Sequence, residues 1–276
     1  VRKTTTKFLL FLLASILFIV VCYFFAYPQV IRCAAIRFTD FTEIQPGIYA
    51  SPGTSAREQQ QLTTLIKTSQ QRLKGFWGNI ESKPVIIFCH TLELYQTYGS
   101  QNGSPANYFG SPLGLFVVIS PGGLDIDVIS HEMCHAELTG RLGWLTMNME
   151  IPQWFNEGLA LMVDYRFPNA NGQVSYQLYQ QKWKELTYGS NFTLNLDELE
   201  EIERFVPKDV YSQQLAYLRS GMEVSRWLEK AQRIGLVHLI TTIQSGGDFD
   251  ESYKSIENSP RKGSKFNKSE VYSTDK

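Results

Sequence analysis

Residues 128–160 read VISHEMCHAELTGRLGWLTMNMEIPQWFNEGLA, and this stretch decides the fold. It contains His131, Glu132, Met133, Cys134 and His135, an HExxH pattern. Residues four apart on a helix share one face at successive turns, so both imidazoles can reach a single ion, with the Glu132 carboxylate beside them. Val128, Ile129, Met133 and Leu138 supply an apolar face, and Asp125 or Asp127 can cap the first turn. The five-residue pattern is short enough to arise by chance, so the downstream sequence has to decide. There, Glu157 lies among Trp154, Phe155, Leu159 and Ala160. A carboxylate in so apolar a helical segment is costly to bury unless paired or bound to metal. Gly140, Gly143 and Pro152 allow the chain to reverse and return Glu157 to the histidines. The alternative for Glu157 is an exposed surface acid. Two histidines and a glutamate leave one tetrahedral position open, the arrangement of a catalytic zinc ion.

The pairing of HExxH with Pro152-x-Trp154-x-x-Glu157-Gly158-Leu159-Ala160 resembles the peptidase MA-like gluzincins, including small bacterial membrane-associated members. Residues 154–160 are also similar to the corresponding segment of M1 aminopeptidases. The resemblance implies that His131, His135 and Glu157 bind one Zn2+ and that Glu132 is the catalytic acid/base. It further implies a transition-state stabiliser on a later helix. Tyr217, in Gln214-Leu215-Ala216-Tyr217, fits that role better than Tyr211, with ordinary packing as the alternative. Leu115–Ile119 resembles the edge strand that pairs with an extended peptide substrate. The Gly-x-Met-Glu-Asn segment of M1 enzymes is absent, with Gly114–Val118 on the comparable strand, so the expected activity is endopeptidase or processing type. Leu138 and Arg141 stand where the metzincin pattern requires Gly and His. A catalytically inactive zincin-like binding or scaffold domain is the alternative, and a zinc hydrolase acting on another substrate is a third option.

Around this centre, residues 56–75 predict an amphipathic helix and Val85–Phe88 a buried strand. Residues 92–98 predict a short helix, 99–112 a Gly, Ser, Asn and Pro-rich loop, and Leu115–Ile119 a second strand. Helices follow at about 152–161, 171–190, 196–205, 212–234 and 236–245. A small mixed sheet before the motif and mostly helices after it define one α+β, zincin-like domain over residues 56–252, with a sheet lobe and a helical lobe. Residues 29–55 read as an extended lead-in and 253–276 as a flexible polar tail.

Of the other polar candidates, Asp125, Asp127 and Asp164 can each accept from a ligand histidine, and Asp127 is the best placed on the motif helix. His90 and His238 read as packed or surface residues, and Cys134 as a small core side chain. Cys33 and Cys89 leave a disulfide open. The formal net charge of -1 over 276 residues gives no case for nucleic acid as partner. The expected partner is a peptide or protein substrate.

At the N-terminus Arg2, Lys3 and Lys7 precede an uncharged apolar run from Phe8 to Tyr27. Its length predicts a transmembrane anchor over residues 1–28, and the basic residues before it predict a cytoplasmic start. The resulting expectation is a single-pass protein of the bacterial inner membrane with its catalytic domain outside the cytoplasm. Secretion after cleavage is the alternative.

Overall fold

A computed structural model describes residues 11–15, 18, 22–166, 174–202, 205 and 209–259. Five strands form one mixed sheet: β1 (Thr42–Gln45), β2 (Ile48–Ala50), β3 (Val85–Phe88), β4 (Ala106–Ser111) and β5 (Gly114–Ile119), in the order β1-β2-β3-β5-β4. β2, β3 and β5 run parallel, and β1 and β4 flank them antiparallel. Side chains of a strand alternate between faces, and both faces here are covered. Ile86, Phe88, Val117 and Ile119 enter the main core. Ile87, Phe116 and Val118 point the other way, into a smaller core with Val30, Cys33, Ile36 and Tyr95.

From Pro28 onward the helices among the described residues are α1 (Pro28–Ala34), α2 (Ala56–Trp77), α3 (Leu92–Tyr98), α4 (Ile126–Leu142), α5 (Trp144–Glu150), α6 (Gln153–Ala160), α7 (Tyr176–Leu186), α8 (Val210–Gln244) and α9 (Phe249–Asn258). α2 begins in a capping box between Ser55 and Glu58, and its Leu62, Ile66, Leu73 and Trp77 form the buried stripe of an amphipathic helix. It packs beside α4, the HExxH helix, which also lies across β4 and β5. α6, α7 and α9 pack on α8. The resulting α+β architecture, a small mixed sheet joined to a helical lobe, agrees with the expected fold. α8 is two helical segments separated by a break at Gln232, where φ is 55° and ψ is -173°, in keeping with the two helices expected there.

Several expectations are corrected. Among the described residues no helix is long and apolar enough to cross a membrane. This finding stands against the expected transmembrane anchor, the membrane as a partner through it, and the inner-membrane placement with the catalytic domain outside the cytoplasm. The described helical residues of that segment are 11–15, 18 and 22–26; the rest, 1–10, 16–17 and 19–21, lie outside the described residues. At Tyr27 the backbone leaves helical geometry (φ -126°, ψ 56°). Pro28, which has no N–H to continue a helix, then opens the separate seven-residue α1, whose Val30 and Cys33 are buried.

Residues 29–55, read as an extended lead-in, are α1, a 3-10 turn at Ile36–Phe38 and the β1–β2 hairpin. The loop expected at 99–112 contains β4, which pairs with β5 from Ala106↔Ile119 to Ser111↔Gly114. Leu115–Ile119 is therefore an interior strand, and the sheet ends at β4. The expected helix at 196–205 shrinks to a 3-10 turn at Leu196–Leu199. α9 carries order to Asn258, past the expected start of the tail, because Phe249 and Tyr253 are buried against the core. Residues 260–276 lie outside the described residues. Cys33 and Cys89 are both buried free thiols, pushed up to about 12 chiefly by burial.

Candidate metal centre

Asp125 starts α4 by accepting from the backbone N–H groups of Asp127 and Val128, and Gly143 ends it with φ at 81°. The helix presents His131 and His135 on one face, with ring centroids 4.8 Å apart and planes at 81°. After the reversal through α5, α6 brings Glu157 to them. The Oε2 atom of Glu157 lies 3.3 Å from His131 Nε2 and 3.6 Å from His135 Nε2. All three residues are buried, and their ligand atoms lie within 4.8 Å of one another.

The approach of α6 to α8 depends on Gly158. A Cβ there would meet Val224 Cγ2 at 2.4 Å and the Ser220 carbonyl oxygen at 2.7 Å. Only a residue without a side chain lets the two backbones come this close. The Glu-Gly pair thus places a ligand on one side of α6 and a helix contact on the other.

The outer nitrogens of both imidazoles are already engaged. His131 Nδ1 is 3.1 Å from Asp164 Oδ2, and His135 Nδ1 is 2.7 Å from Asn156 Oδ1. Each Nδ1–H donates outward, which leaves Nε2 facing inward, where it can ligate an ion. Gln153 Nε2 donates to Glu157 Oε1 at 2.7 Å, while Oε2 is buried with no hydrogen-bond partner. An orphaned carboxylate oxygen between two inward imidazole nitrogens is an expensive arrangement without a cation. Tetrahedral zinc with ligands at about 2.0–2.1 Å would place them roughly 3.3 Å from one another, close to the spacings found. His131, His135 and Glu157 can therefore hold a metal ion.

The electrostatics follow from burial and these contacts. Burial pulls the His131 imidazole down, but its hydrogen bond to Asp164 and the nearby carboxylates of Glu157 and Asp164 outweigh this and lift it to about 10. Burial pushes Glu157 up, and the two imidazoles with the Gln153 amide more than reverse it, holding the carboxyl below its ordinary value. Asp164 is likewise held well below the carboxylate range, against the push of burial, by Arg166 and His131. Glu132, half-buried at the same place, is raised by burial; the histidines offset this only in part, and the charge of Glu157 adds to it. A carboxylate raised in this way is a better proton acceptor.

Tyr217 comes from α8, its ring centroid 6.4 Å from that of His131 and 5.6 Å from that of Phe205. The charge of Glu157, then burial and the charge of Glu132, raise its phenol and keep it protonated. Tyr211, the other tyrosine considered, is exposed and donates to the Leu186 carbonyl.

Among the three aspartates, Asp164 rather than Asp127 supports a ligand. Asp127 is taken by Arg72 and by the backbone N–H of Tyr165, and Asp125 is the helix cap. His90 lies 3.0 Å from Glu58 and stands outside the cluster, as does His238 on the second half of α8. Cys134 is buried in the main core. Asn156 and Gln153 were not singled out from the sequence, yet positions 153, 156 and 157 share one face of α6 at i, i+3 and i+4. That polar stripe in an apolar helix was the available signal. No family model matches the chain and no curated protein matches its sequence, so the reading of this centre rests on its geometry.

Proposed function

We propose that the chain is a zinc-dependent peptidase of the gluzincin type. The observation that carries the reading is the convergence of His131 Nε2, His135 Nε2 and the unpartnered Oε2 of Glu157, with the raised carboxyl of Glu132 next to His131 in the HExxH turn. A bound Zn2+ supplies a Lewis acid that lowers the pKa of water and polarises a carbonyl.

The side chains divide the remaining work. Glu132 accepts the proton of the attacking water and delivers it to the departing amine, acting first as base and then as acid. Asp164 and Asn156 keep the two imidazoles in the tautomer and orientation that present Nε2. Gln153 holds one oxygen of Glu157 so that the other faces inward. Tyr217, protonated at neutral pH, donates a hydrogen bond to the carbonyl oxygen as negative charge develops on it. The substrate backbone is laid along β4, the strand at the edge of the sheet, whose Tyr108 ring lies 5.9 Å from that of His135. Strand addition supplies main-chain hydrogen bonds without demanding particular side chains.

The test is zinc content together with cleavage of a peptide library by the full chain and by Glu132→Gln. The expected result is one zinc per chain in both forms and cleavage by the wild type only. A wild-type protein that binds no zinc removes the metal assignment. Stoichiometric zinc without cleavage in either form transfers the site to a binding or scaffold role.

A further inference from the structure

A cavity of about 520 Å³ is lined by Arg166, Lys182, Glu185, Leu186, Gln214 and Leu218. Three parts of the helical lobe build it: α7, the first turns of α8, and the turn that follows α6. Two of its lining residues connect to the metal centre. Leu218 follows Tyr217, whose ring lies against His131. Arg166 is bound to Asp164, which holds the outer nitrogen of His131. Arg166 is thus linked to His131 through a single side chain, Asp164.

The chemistry of the lining is uneven. Leu186 and Leu218 provide apolar surface, and at the rim Lys182 Nζ is paired with Glu185 at 2.8 Å. Arg166 is different. Its Nε and Nη2 donate to Asp164 at 2.9 and 2.6 Å, and Asp164 is wholly buried behind it. A guanidinium has five N–H groups in a fixed fork. Those of Nη1 have no acceptor among the described residues, and 38% of the side chain is exposed. The other acids whose charge Arg166 feels are Asp125 and Glu132; Asp125 is occupied in capping α4, and Glu132 belongs to the HExxH turn.

We infer that this cavity is a substrate subsite that recognises a carboxylate of the peptide through the free edge of Arg166. The inference rests on the peptidase reading and adds to it a substrate class: peptides that place a carboxylate at a fixed distance from the cleaved bond. An acidic side chain and the C-terminal carboxylate share this chemistry, and both are planar two-oxygen groups that match an arginine edge.

The experiment compares zinc-loaded full chain on two versions of one peptide library, one with free carboxyl groups and one with every carboxyl converted to a primary amide. The free-acid library is expected to be cleaved about tenfold faster or more, the scale of one charge-assisted hydrogen bond. Cleavage at a constant distance from the C-terminus identifies the C-terminal carboxylate, and an Asp or Glu at a constant position from the cleaved bond identifies the side chain; either supports the subsite. Gln214→Glu places a carboxylate on the exposed wall of the cavity without touching Asp164. In this variant the ratio of rates on the two libraries is expected to fall toward one, each variant serving as its own reference for folding and metal loading. Equal rates on the two libraries in the wild type, or an unchanged ratio in Gln214→Glu, overturns the subsite and leaves the peptidase reading standing. Cleavage of neither library by a zinc-loaded preparation overturns both.

Discussion

Replacing Asp164 by Asn keeps the shape of the side chain and removes its charge and one of its two acceptor oxygens. In the wild type, Oδ2 accepts from His131 Nδ1 at 3.1 Å and from Arg166 Nη2 at 2.6 Å. Oδ1 accepts from the Arg166 backbone N–H at 3.0 Å and from Nε at 2.9 Å. An amide cannot serve both sides. If its oxygen faces His131, its NH2 meets two donors of Arg166 at a wholly buried position, and unpaired donors there are costly. If it is turned over, the NH2 donates to Nδ1. The imidazole then carries its proton on Nε2, where the metal must bind. Either orientation weakens zinc binding, and loss of such a supporting group lowers metal affinity by 10–100-fold, about 1.4–2.7 kcal/mol. Competition against a chromophoric zinc chelator measures this directly, with circular dichroism as the check on folding. A folded Asp164→Asn protein with zinc affinity within about twofold of wild type would refute the argument that Asp164 fixes the His131 tautomer.

Three further predictions follow from other parts of the structure. His131, raised to about 10 in the metal-free protein, carries a proton at neutral pH and must lose it to bind zinc. Apparent zinc affinity therefore rises about tenfold per pH unit from about pH 7 until it levels near pH 10, and calorimetry in buffers of different ionisation enthalpy is expected to show one proton released; none released contradicts the assignment. Gly158→Ala drives a methyl into Val224 and the Ser220 carbonyl, so denaturant unfolding is expected to show a loss of about 1–3 kcal/mol together with reduced zinc content; wild-type values in both would show that α6 and α8 are not in close contact. Glu223 lies between Arg219, Arg226 and Tyr253 and is held below the ordinary carboxylate value, Arg226 outweighing the upward push of burial. Its contribution is present above its unfolded pKa of about 4.3 and is lost as pH falls through the lower folded value, so thermal melting between about pH 2 and pH 7 should show a smaller acid loss for Glu223→Gln than for wild type.

The parts of this protein legible in its sequence are those that depend on local spacing. The i, i+4 interval of His131 and His135 follows from the pitch of one helix. The alternation of Val117 and Ile119 with Phe116 and Val118 follows from the pleat of one strand, and the cost of burying Glu157 among apolar neighbours follows from solvation alone. An apolar run at the N-terminus also reads locally as one long helix. Yet among the described residues no helix is long and apolar enough to cross a membrane, and the helix that follows the run, from Pro28, gives Val30 and Cys33 to a core that only the folded domain provides. Ala106–Ser111 looks like a loop in isolation because Asn, Gly and Ser are poor strand formers; pairing with β5 makes it a strand and moves the sheet edge away from Leu115–Ile119.

The centre itself divides in the same way. The sequence alone singled out His131, His135 and Glu157 as the candidate metal cluster, since residue type and helical period are properties of a segment. Only the tertiary structure chose Asp164 over Asp127 as the partner of His131, because Arg72, from a helix more than fifty positions earlier, had already taken Asp127. It also set the free edge of Arg166 beside the site, a juxtaposition of three distant segments that no local pattern encodes.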